Sequence, residues 1–449
     1  MVIDKIIFYV KEYSAVHGGM NKIYNKKNLK YIIYKDVKMS DKKLNVCLLT
    51  SNTYSPEMPA RPEVSEIYGK YLPSFGHKVI WISPSLETKE LKKIKYNQVT
   101  IHLIPYCVYP SIFKKIVNFV RFYMNEYHLL LKIHDNEKYD LIQVRNDVFA
   151  ALIALYFKKK HNIPFVFQYS FPQEAFKSQK LETNYFYFFG QIRISILKYV
   201  LKKADFVFPI SEWMESKLME EGYPKSKMMP LPMGVNPELF DFKIDSSKIR
   251  DKHHLSDSQV FLYIGSMDKL RSLDPIIHAF TQVQKTNPNT KLLMVGDGND
   301  RLHLEELSAE LGFSKDIIFT GQVSYFEIPY YISSADICLS PIRPLDIYKV
   351  SSPTKLFEYM VMGKPVVANK EIPEQKKVIE ESGGGILVEF KSESFARGII
   401  HLLNNPKIAN KMGKNGYKWV VENRSYESMA HDVEKQYFKL LEISGVSRF

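Results

Sequence analysis

Residues 350–368 contain a polar loop, a short amphipathic segment, a glycine and an apolar run, in that order. This pattern predicts a loop, a helix, a tight turn and a buried strand. We expect Ser352 to cap the helix through its side-chain oxygen, with Pro353 at the first helical position. Gly363 is predicted to end the helix, because glycine adopts the left-handed conformation at little cost.

The first turn of this predicted helix can bind an anion. Its free N–H groups and the positive end of the helix dipole favour a phosphate near Thr354, and Lys355 adds a positive charge. Glu358 shares a face with Thr354, one turn further along. A carboxylate just beyond a phosphate site is well placed to bind two ribose hydroxyls. A surface helix with one solvated glutamate is the alternative for this stretch alone.

A second loop with phosphate-binding character follows the apolar run 260–264. Gly265 and Ser266 would let the backbone approach a diphosphate, and Arg271 would neutralise part of its charge. An ordinary turn is the alternative for this loop alone. Together the two segments predict a nucleotide site, in which Arg271 and Lys355 hold the diphosphate and Glu358 the ribose.

These residues resemble the nucleotide-sugar site of family 4 glycosyltransferases, which are retaining enzymes of the two-domain GT-B fold. Residues 352–360 (Ser-Pro-Thr-Lys-Leu-Phe-Glu-Tyr-Met) match one form of the family motif, and Gly-Lys-Pro-Val-Val-Ala follows at 363–368. Many members carry a glutamate eight residues before Glu358, where this chain has Val350. Many also carry a histidine after the segment that corresponds to 163–168, and this chain has none there.

The resemblance implies contacts to the nucleoside as well. Gly298, in Val-Gly-Asp-Gly, matches a glycine that opens space for the base or ribose, although a strand-ending turn is an equal alternative. Gly321, Gln322 and Val323 match a segment whose backbone reads the base. Backbone contacts leave UDP and GDP both open.

Candidate contacts also lie in the first half of the chain. Arg61, in a proline-rich loop after the first predicted strand, is a candidate for binding an anion, and a purely structural loop is the alternative. Gln168 or Ser170 could hydrogen-bond the donor or acceptor. Neither is suited to act as a general base.

Enzymes of this class are thought to let the departing phosphate oxygen assist the incoming hydroxyl. The main task of the protein would then be electrostatic: to hold the diphosphate, stabilise its developing charge and exclude water. The sequence shows no Asp-x-Asp pair at the end of a strand. We therefore expect a metal-independent reaction, with the nucleotide sugar as a substrate and no cofactor.

Composition limits the class of protein. The chain has 449 residues, 45% of them hydrophobic, and a net charge of +13, which favours anionic partners. Cys47, Cys107 and Cys338 lie within or beside apolar runs without the spacing of a zinc site, so we expect reduced thiols. No apolar stretch is long enough to span a bilayer or to act as a signal peptide. The predicted location is the cytoplasm.

Apolar runs alternate with amphipathic segments from Leu44 onward, which predicts parallel sheets covered by helices. The fold class is α/β: a GT-B arrangement of two doubly wound, Rossmann-like domains facing a cleft. The predicted segments are an N-terminal extension (1–43), an acceptor-side domain (44–235), a linker (236–258), a nucleotide-sugar domain (259–425) and a C-terminal crossing helix (426–449). Within the extension, residues 1–38 are expected to be dispensable.

Residues 110–134 form a broad apolar face with basic residues beside it. Such a helix could rest on an anionic membrane surface, or it could be an ordinary helix facing the core. Residues 185–203 show a similar composition and leave the same two alternatives.

The leading hypothesis is a retaining glycosyltransferase that moves a sugar from UDP or GDP to a hydroxyl of a glycan or lipid-linked glycan. One alternative is a nucleotide-sugar epimerase of the same fold. Another is a basic binding protein that has lost catalysis, although no clustered basic tract typical of nucleic-acid modules is present.

Overall fold

The computed structural model describes residues 42–56, 60–109, 111–171, 184–255 and 257–443, and only the backbone of 184–189. The predicted extension 1–43 lies outside these ranges apart from Lys42 and Lys43. From Leu44 onward the described residues form one compact unit, which contains two sheets flanked by helices.

The first half contains a seven-stranded sheet. Its strands are β1 (Asn45–Thr50), β2 (Lys78–Ser85), β3 (Lys92–Tyr96), β4 (Val99–Pro105), β5 (Leu141–Arg145), β6 (Phe165–Tyr169) and β7 (Phe206–Pro209). The order is β3-β4-β2-β1-β5-β6-β7, and all pairings are parallel except that of β3 with β4. Strand β3 was not predicted from the sequence, because its lysines break the apolar pattern. Lysine-rich strands are typical of exposed sheet edges.

Helices cover this sheet on both faces. They are α1 (Pro62–Glu66), α2 (Leu72–Ser74), α3 (Ile112–Asn136), α4 (Val148–His161), α5 (Asn184–Lys203) and α6 (Glu212–Glu220), and a π-helical turn, Ile67–Tyr71, joins α1 to α2. Asp147 caps α4 by accepting hydrogen bonds from the backbone N–H groups of Phe149 and Ala150. This cap fixes the turn that follows β5.

The second half contains a six-stranded parallel sheet. Its strands are β8 (Gln259–Ile264), β9 (Thr290–Val295), β10 (Ile317–Gly321), β11 (Ile337–Ser340), β12 (Val366–Asn369) and β13 (Gly385–Val388). The order β10-β9-β8-β11-β12-β13 is that of a Rossmann-type doubly wound sheet. Without its edge strand β3, the first sheet has the same order. The predicted fold class is thus confirmed.

The helices of the second half surround this sheet. They are α7 (Ser247–Lys252), α8 (Asp274–Thr286), α9 (Arg301–Glu310), α10 (Ile328–Ser334), α11 (Asp346–Lys349), α12 (Thr354–Val361), α13 (Pro373–Ser382), α14 (Ser392–Asn404), α15 (Pro406–Asn423) and α16 (Tyr426–Ile443). Residues 236–258, predicted as a linker, contain α7 and the buried Phe240.

Helix α16 returns to the first half and packs against it. The hydroxyl of Tyr437 donates to Gln143 Oε1 at 2.6 Å, and His77 Nε2 lies 2.7 Å from Glu434 Oε1. The chain crosses between the halves next to this helix, where Val235 forms a parallel bridge with Ser425.

The carboxyl-terminal part of α3 packs on the core, whereas its amino-terminal part is exposed. Phe122, Leu130 and Ile133 are buried, but Phe113 is 75% exposed and Ile112 61%. Of the two alternatives that the sequence left open, the core-facing helix therefore describes only the second part of α3. None of the helices among the described residues is both long and apolar enough to cross a bilayer.

Candidate functional site

A cavity of about 550 Å³ opens between the carboxyl ends of the two sheets. We call its two sides the N-terminal wall and the C-terminal wall. The N-terminal wall includes Asn52, Arg61, Arg145, Asn146, Ser170 and Arg193. The C-terminal wall includes Gly265, Arg271, Ser352, Thr354, Lys355 and Glu358. Ligands of doubly wound sheets bind at this edge.

Helix α12 presents its amino terminus to the cavity through Thr354. The residue before it, Pro353, takes the N-cap position, and no side chain caps the helix. The prediction that Ser352 is the cap is therefore wrong. Its hydroxyl instead accepts a hydrogen bond from the backbone N–H of Met233 at 2.9 Å and donates to Glu374 Oε1 at 2.9 Å. The first N–H groups of α12 remain available for a ligand.

Lys355 is held against the loop that follows β8. Its ammonium lies 4.1 Å from the ring centroid of Tyr263, and it would be 2.8 Å from a Cβ atom placed on Gly265. Gly265 has φ of 148°, so both backbone conformation and space require glycine here. Burial lowers the pKa of Lys355 well below its ordinary value, and Arg271 adds to this effect. A bound phosphate would reduce the repulsion between the positive charges of Lys355 and Arg271.

Arg271 lies on the same wall, with its guanidinium 4.7 Å from the ring centroid of Tyr348. Its Nε atom is buried and has no hydrogen-bond partner among the described residues. An unpartnered buried donor is costly, and a phosphate oxygen would satisfy it. Arg271 and Lys355 therefore form a cationic pair, and among the described residues of the lining Glu358 alone carries a balancing negative charge.

Glu358 is 6% exposed and lies one helical turn beyond Lys355. Burial raises the pKa of its carboxyl group to about 7, although Lys355 and a hydrogen bond from Tyr325 oppose the shift. Further hydrogen-bond donors stabilise the charged form of a buried carboxylate. Two vicinal hydroxyls could supply them.

The other predicted contacts of the second half do not line this cavity. Gly298 packs on the loop after β8, where a Cβ atom would lie 2.4 Å from the carbonyl carbon of Met267. Gly321 accepts a hydrogen bond from the N–H of Gly296 at 3.0 Å. Both glycines thus serve the close approach of neighbouring loops.

The remaining predicted residues of that half lie around the cavity rather than in it. The hydroxyl of Tyr263 donates to the carbonyl of Ser266 at 2.8 Å. Gln322 is exposed, and Val323 packs against the core. Val350, at the position of the family's first glutamate, also packs on the core, and its carbonyl accepts a hydrogen bond from Ser211 Oγ at 2.7 Å.

On the N-terminal wall, Arg61 and Ser170 line the cavity but Gln168 does not. Gln168 is buried within the sheet and accepts a hydrogen bond from Gln143 Nε2 at 3.1 Å. A role for Gln168 in binding is therefore not supported by its position. The hydroxyl oxygen of Ser170 is buried without a hydrogen-bond partner among the described residues.

The sequence interpretation missed Arg145, which lies at the carboxyl end of β5. Arg145 is 3% exposed, forms a buried ion pair with Glu63, and donates to Asn52 Oδ1 at 2.8 Å. The next residue, Asn146, has φ of 57° and also lines the cavity. A charged residue that ends an apolar run, followed by asparagine and a helix cap, was the available signal.

Among the described residues no group of three or more His, Cys, Asp or Glu side chains is arranged to hold a metal ion. A second cavity of about 640 Å³ lies beside β3 and α3 and contains none of the predicted site residues.

Two family models match this chain. The model for glycosyl transferases group 1 matches residues 245–419, and that for glycosyltransferase family 4 matches residues 68–239. Together they include nearly all of the cavity lining.

Curated relatives are similar over part of their length. A GDP-mannose-dependent alpha-(1-6)-phosphatidylinositol monomannoside mannosyltransferase from Mycolicibacterium smegmatis is 24% identical over 51% of this chain and 60% of its own. N-acetyl-alpha-D-glucosaminyl L-malate synthase from Bacillus anthracis is 22% identical over 55% of this chain and 63% of its own. The matches to these and the other first relatives span between 44% and 65% of the relatives' length.

Solved structures share the fold across most of the chain. Sucrose-phosphate synthase from Thermosynechococcus elongatus superposes with a TM-score of 0.70 at 20% identity, over 89% of this chain and all of the other. Anabaena Alr3699/HepE in complex with UDP and glucose gives 0.64 at 13% identity, over 88% of this chain and 99% of the other. With the family models on both halves and this shared fold, the chain belongs to the group 1, family 4 glycosyltransferases of the GT-B fold.

Proposed function

We propose that this protein is a retaining glycosyltransferase that moves a sugar from a UDP- or GDP-sugar to a hydroxyl of a glycan or lipid-linked glycan. The observation that carries this proposal is the convergence of Arg271, Lys355, Glu358 and the amino terminus of α12 on one cavity. Relatives described as GDP-mannose-dependent and a fold neighbour crystallised with UDP support a nucleotide-sugar donor without choosing the base.

Each group on the C-terminal wall has a role in this proposal. Arg271, Lys355 and the first N–H groups of α12 bind the diphosphate and stabilise the charge that develops as it leaves. Glu358 accepts hydrogen bonds from the ribose hydroxyls. Gly265 leaves room for the phosphates beside Lys355.

The reaction replaces one bond at the anomeric carbon of the donor. The bond to the phosphate oxygen breaks, the acceptor oxygen attacks from the same face, and the acceptor proton moves to the departing phosphate oxygen. This reaction requires no protein nucleophile. The positive charges of the C-terminal wall would therefore lower the barrier chiefly by stabilising the departing diphosphate. We propose that the reaction needs neither a metal ion nor a cofactor.

A thermal-shift panel tests the donor assignment. UDP, GDP and their common sugar conjugates are compared with and without EDTA. A rise in melting temperature for one base, unchanged by EDTA, is expected. The absence of a shift with every nucleotide would contradict the proposal and favour the binding-protein alternative.

A product assay separates a transferase from an epimerase. The donor that stabilises the protein is incubated with and without a mixture of acceptor glycans. Transfer to the acceptor with release of the nucleotide diphosphate is expected. Conversion of the donor to a rearranged nucleotide sugar, without release, would identify an epimerase instead.

The exposed part of α3 supports peripheral contact with an anionic membrane on the cytoplasmic side. Ile112, Phe113 and Val117 form an exposed apolar surface, and Lys114 and Arg121 are exposed beside it. Such a surface suits the boundary between acyl chains and anionic head groups. Vesicles of phosphatidylglycerol should sediment the protein at low salt, and a Phe113→Ser/Val117→Ser variant should bind them less. Equal sedimentation of both proteins would exclude this surface.

A further inference from the structure

The cavity is lined by more positive charge than a nucleotide diphosphate requires. Its lining contains five arginine and lysine residues, and Glu358 is the only carboxylate among the described residues that line it. The C-terminal wall supplies two of the cations, Arg271 and Lys355. The other three belong to the facing wall: Arg61, Arg145 and Arg193.

Arg145 is the rigid member of this group. It is 3% exposed, and its contacts with Glu63 and Asn52 fix its guanidinium in one orientation. Its Nε atom is nevertheless buried without a hydrogen-bond partner among the described residues. Ser170 Oγ, on the same wall, is also buried without a hydrogen-bond partner among the described residues. Buried polar atoms without partners at a ligand cavity indicate that the ligand supplies the partner.

Two carboxyl groups among the described residues interact with arginines of this wall, Glu63 and Asp147. Glu63 balances Arg145. Asp147 interacts with Arg193, and it also accepts hydrogen bonds from two backbone N–H groups and from the hydroxyl of Tyr123. Arg61 is exposed at the rim of the cavity. Among the described residues that line the cavity, this wall therefore carries arginines and no carboxylate, which favours an anion opposite the donor.

We propose that the acceptor carries an anionic group, a phosphate or a carboxylate, which the N-terminal wall binds while the donor occupies the C-terminal wall. This inference rests on the proposed function and names the class of its second substrate. Arg145 and Ser170 would contact the anion within the cavity, and Arg61 and Arg193 would complete its charge balance. A planar guanidinium binds phosphate and carboxylate oxygens in pairs, which gives orientation as well as affinity.

A competing explanation assigns the same arginines to the donor. In that case their removal would weaken nucleotide binding and leave no preference among acceptors. The two explanations therefore differ in which ligand loses affinity.

The test uses the full chain saturated with the nucleoside diphosphate that stabilises it. Glucose, glucose 6-phosphate and glucuronate are titrated into this complex by calorimetry, so that the neutral sugar, the phosphate and the carboxylate are compared directly. The same titrations are made with an Arg61→Gln/Arg193→Gln variant. Lys198→Gln, an exposed change on α5 outside the cavity, is the matched control.

We expect at least one charged sugar to bind about tenfold more tightly than glucose, the effect of one charge-assisted contact. The double variant should lose this preference, and its nucleotide affinity should stay within about twofold of wild type. The Lys198→Gln protein should behave as wild type. Whichever charged sugar binds more tightly identifies the anionic group as phosphate or carboxylate.

Three results would overturn the inference. Equal binding of all three sugars by the wild-type complex would show that the acceptor site does not select charge. A parallel loss of nucleotide affinity in the double variant would assign the arginines to the donor. In both cases the proposed function would stand, whereas the absence of any nucleotide binding would remove that function and this inference together.

Discussion

Apart from the edge strand β3, the two sheets share one strand order, yet the loops at their carboxyl ends carry different residues. After β8 the chain turns at Gly265, whose conformation and lack of a side chain leave room for Lys355. After β1 the corresponding loop contains prolines and Arg61 but no glycine. The topology therefore fixes where a ligand binds, and the loop residues decide which ligand it is.

The largest expected effect is on nucleotide affinity, which should depend on the C-terminal wall more than on the N-terminal wall. An Arg271→Ala/Lys355→Ala variant loses two charged contacts to the diphosphate, so its nucleotide affinity should fall by roughly 3–6 kcal/mol. Calorimetry with UDP and GDP measures this. Arg301→Ala, an arginine of the same half outside the cavity, is the control. A greater loss from Arg61→Gln than from this double variant would reverse the assignment of the walls.

Glu358, on the C-terminal wall, should also make the free energy of unfolding depend on pH. Burial raises the pKa of Glu358 from 4.5 to about 7, so the folded chain binds more protons than the unfolded chain between these values. The stability that this group contributes is present below pH 4.5 and is lost as the pH rises through 7. A Glu358→Gln variant should gain up to roughly 3 kcal/mol relative to wild type across this window.

Urea unfolding of both proteins at pH 5 and pH 8 measures that difference. Identical pH dependence in the two proteins would show that Glu358 does not titrate in this range.

The ribose assignment predicts a smaller, nucleoside-specific effect. Glu358→Ala should weaken nucleotide binding by roughly 1.5–3 kcal/mol at most for each hydrogen bond lost. The preference of the wild type for the ribonucleotide over its 2′-deoxy form should shrink in the variant. Glu374→Gln, a buried acid that does not line the cavity, should leave both affinities unchanged. Unchanged affinity in folded Glu358→Ala would refute the assignment.

The smallest effect concerns the contact between the two halves. Ser352 joins Met233 of the first half to Glu374 of the second, so Ser352→Ala should cost about 1 kcal/mol of unfolding free energy. Ser351→Ala removes a hydrogen bond within the second half and serves as the matched control for stability. Thermal and urea unfolding measure both. A stability equal to wild type would mean that the Ser352 contacts contribute nothing to the association of the halves.

The sheets and the C-terminal wall could be predicted because they depend on local patterns. Continuous apolar runs mark the parallel strands, and the segment from Ser352 to Gly363 carries loop, helix and turn signals within a few residues. Strand β3 was missed because its stability comes from pairing with β4 at an edge, which its own lysines conceal.

The N-terminal wall could not be assembled from sequence because its members are far apart in the chain. Arg145 is oriented at the cavity by Asn52 and by Glu63, which are 93 and 82 residues away in the chain. Ser352 was expected to act locally as a cap, but tertiary contacts with Met233 and Glu374 use its hydroxyl instead. The predictions were wrong or incomplete where a side chain bonds to a residue that is far away in the sequence.

The bridge between Val235 and Ser425 has a mechanical consequence. The chain passes from one half to the other next to Val235 and again next to Ser425. These two places are joined by a hydrogen bond, because the N–H of Val235 donates to the carbonyl of Arg424 at 2.9 Å. Gly234 permits this closeness, because a Cβ atom there would lie 2.5 Å from the same carbonyl oxygen. Because the two crossings are adjacent, a rotation of one half against the other would pivot at this point, and α16 would move with the first half. Such a rotation would set the width of the cleft.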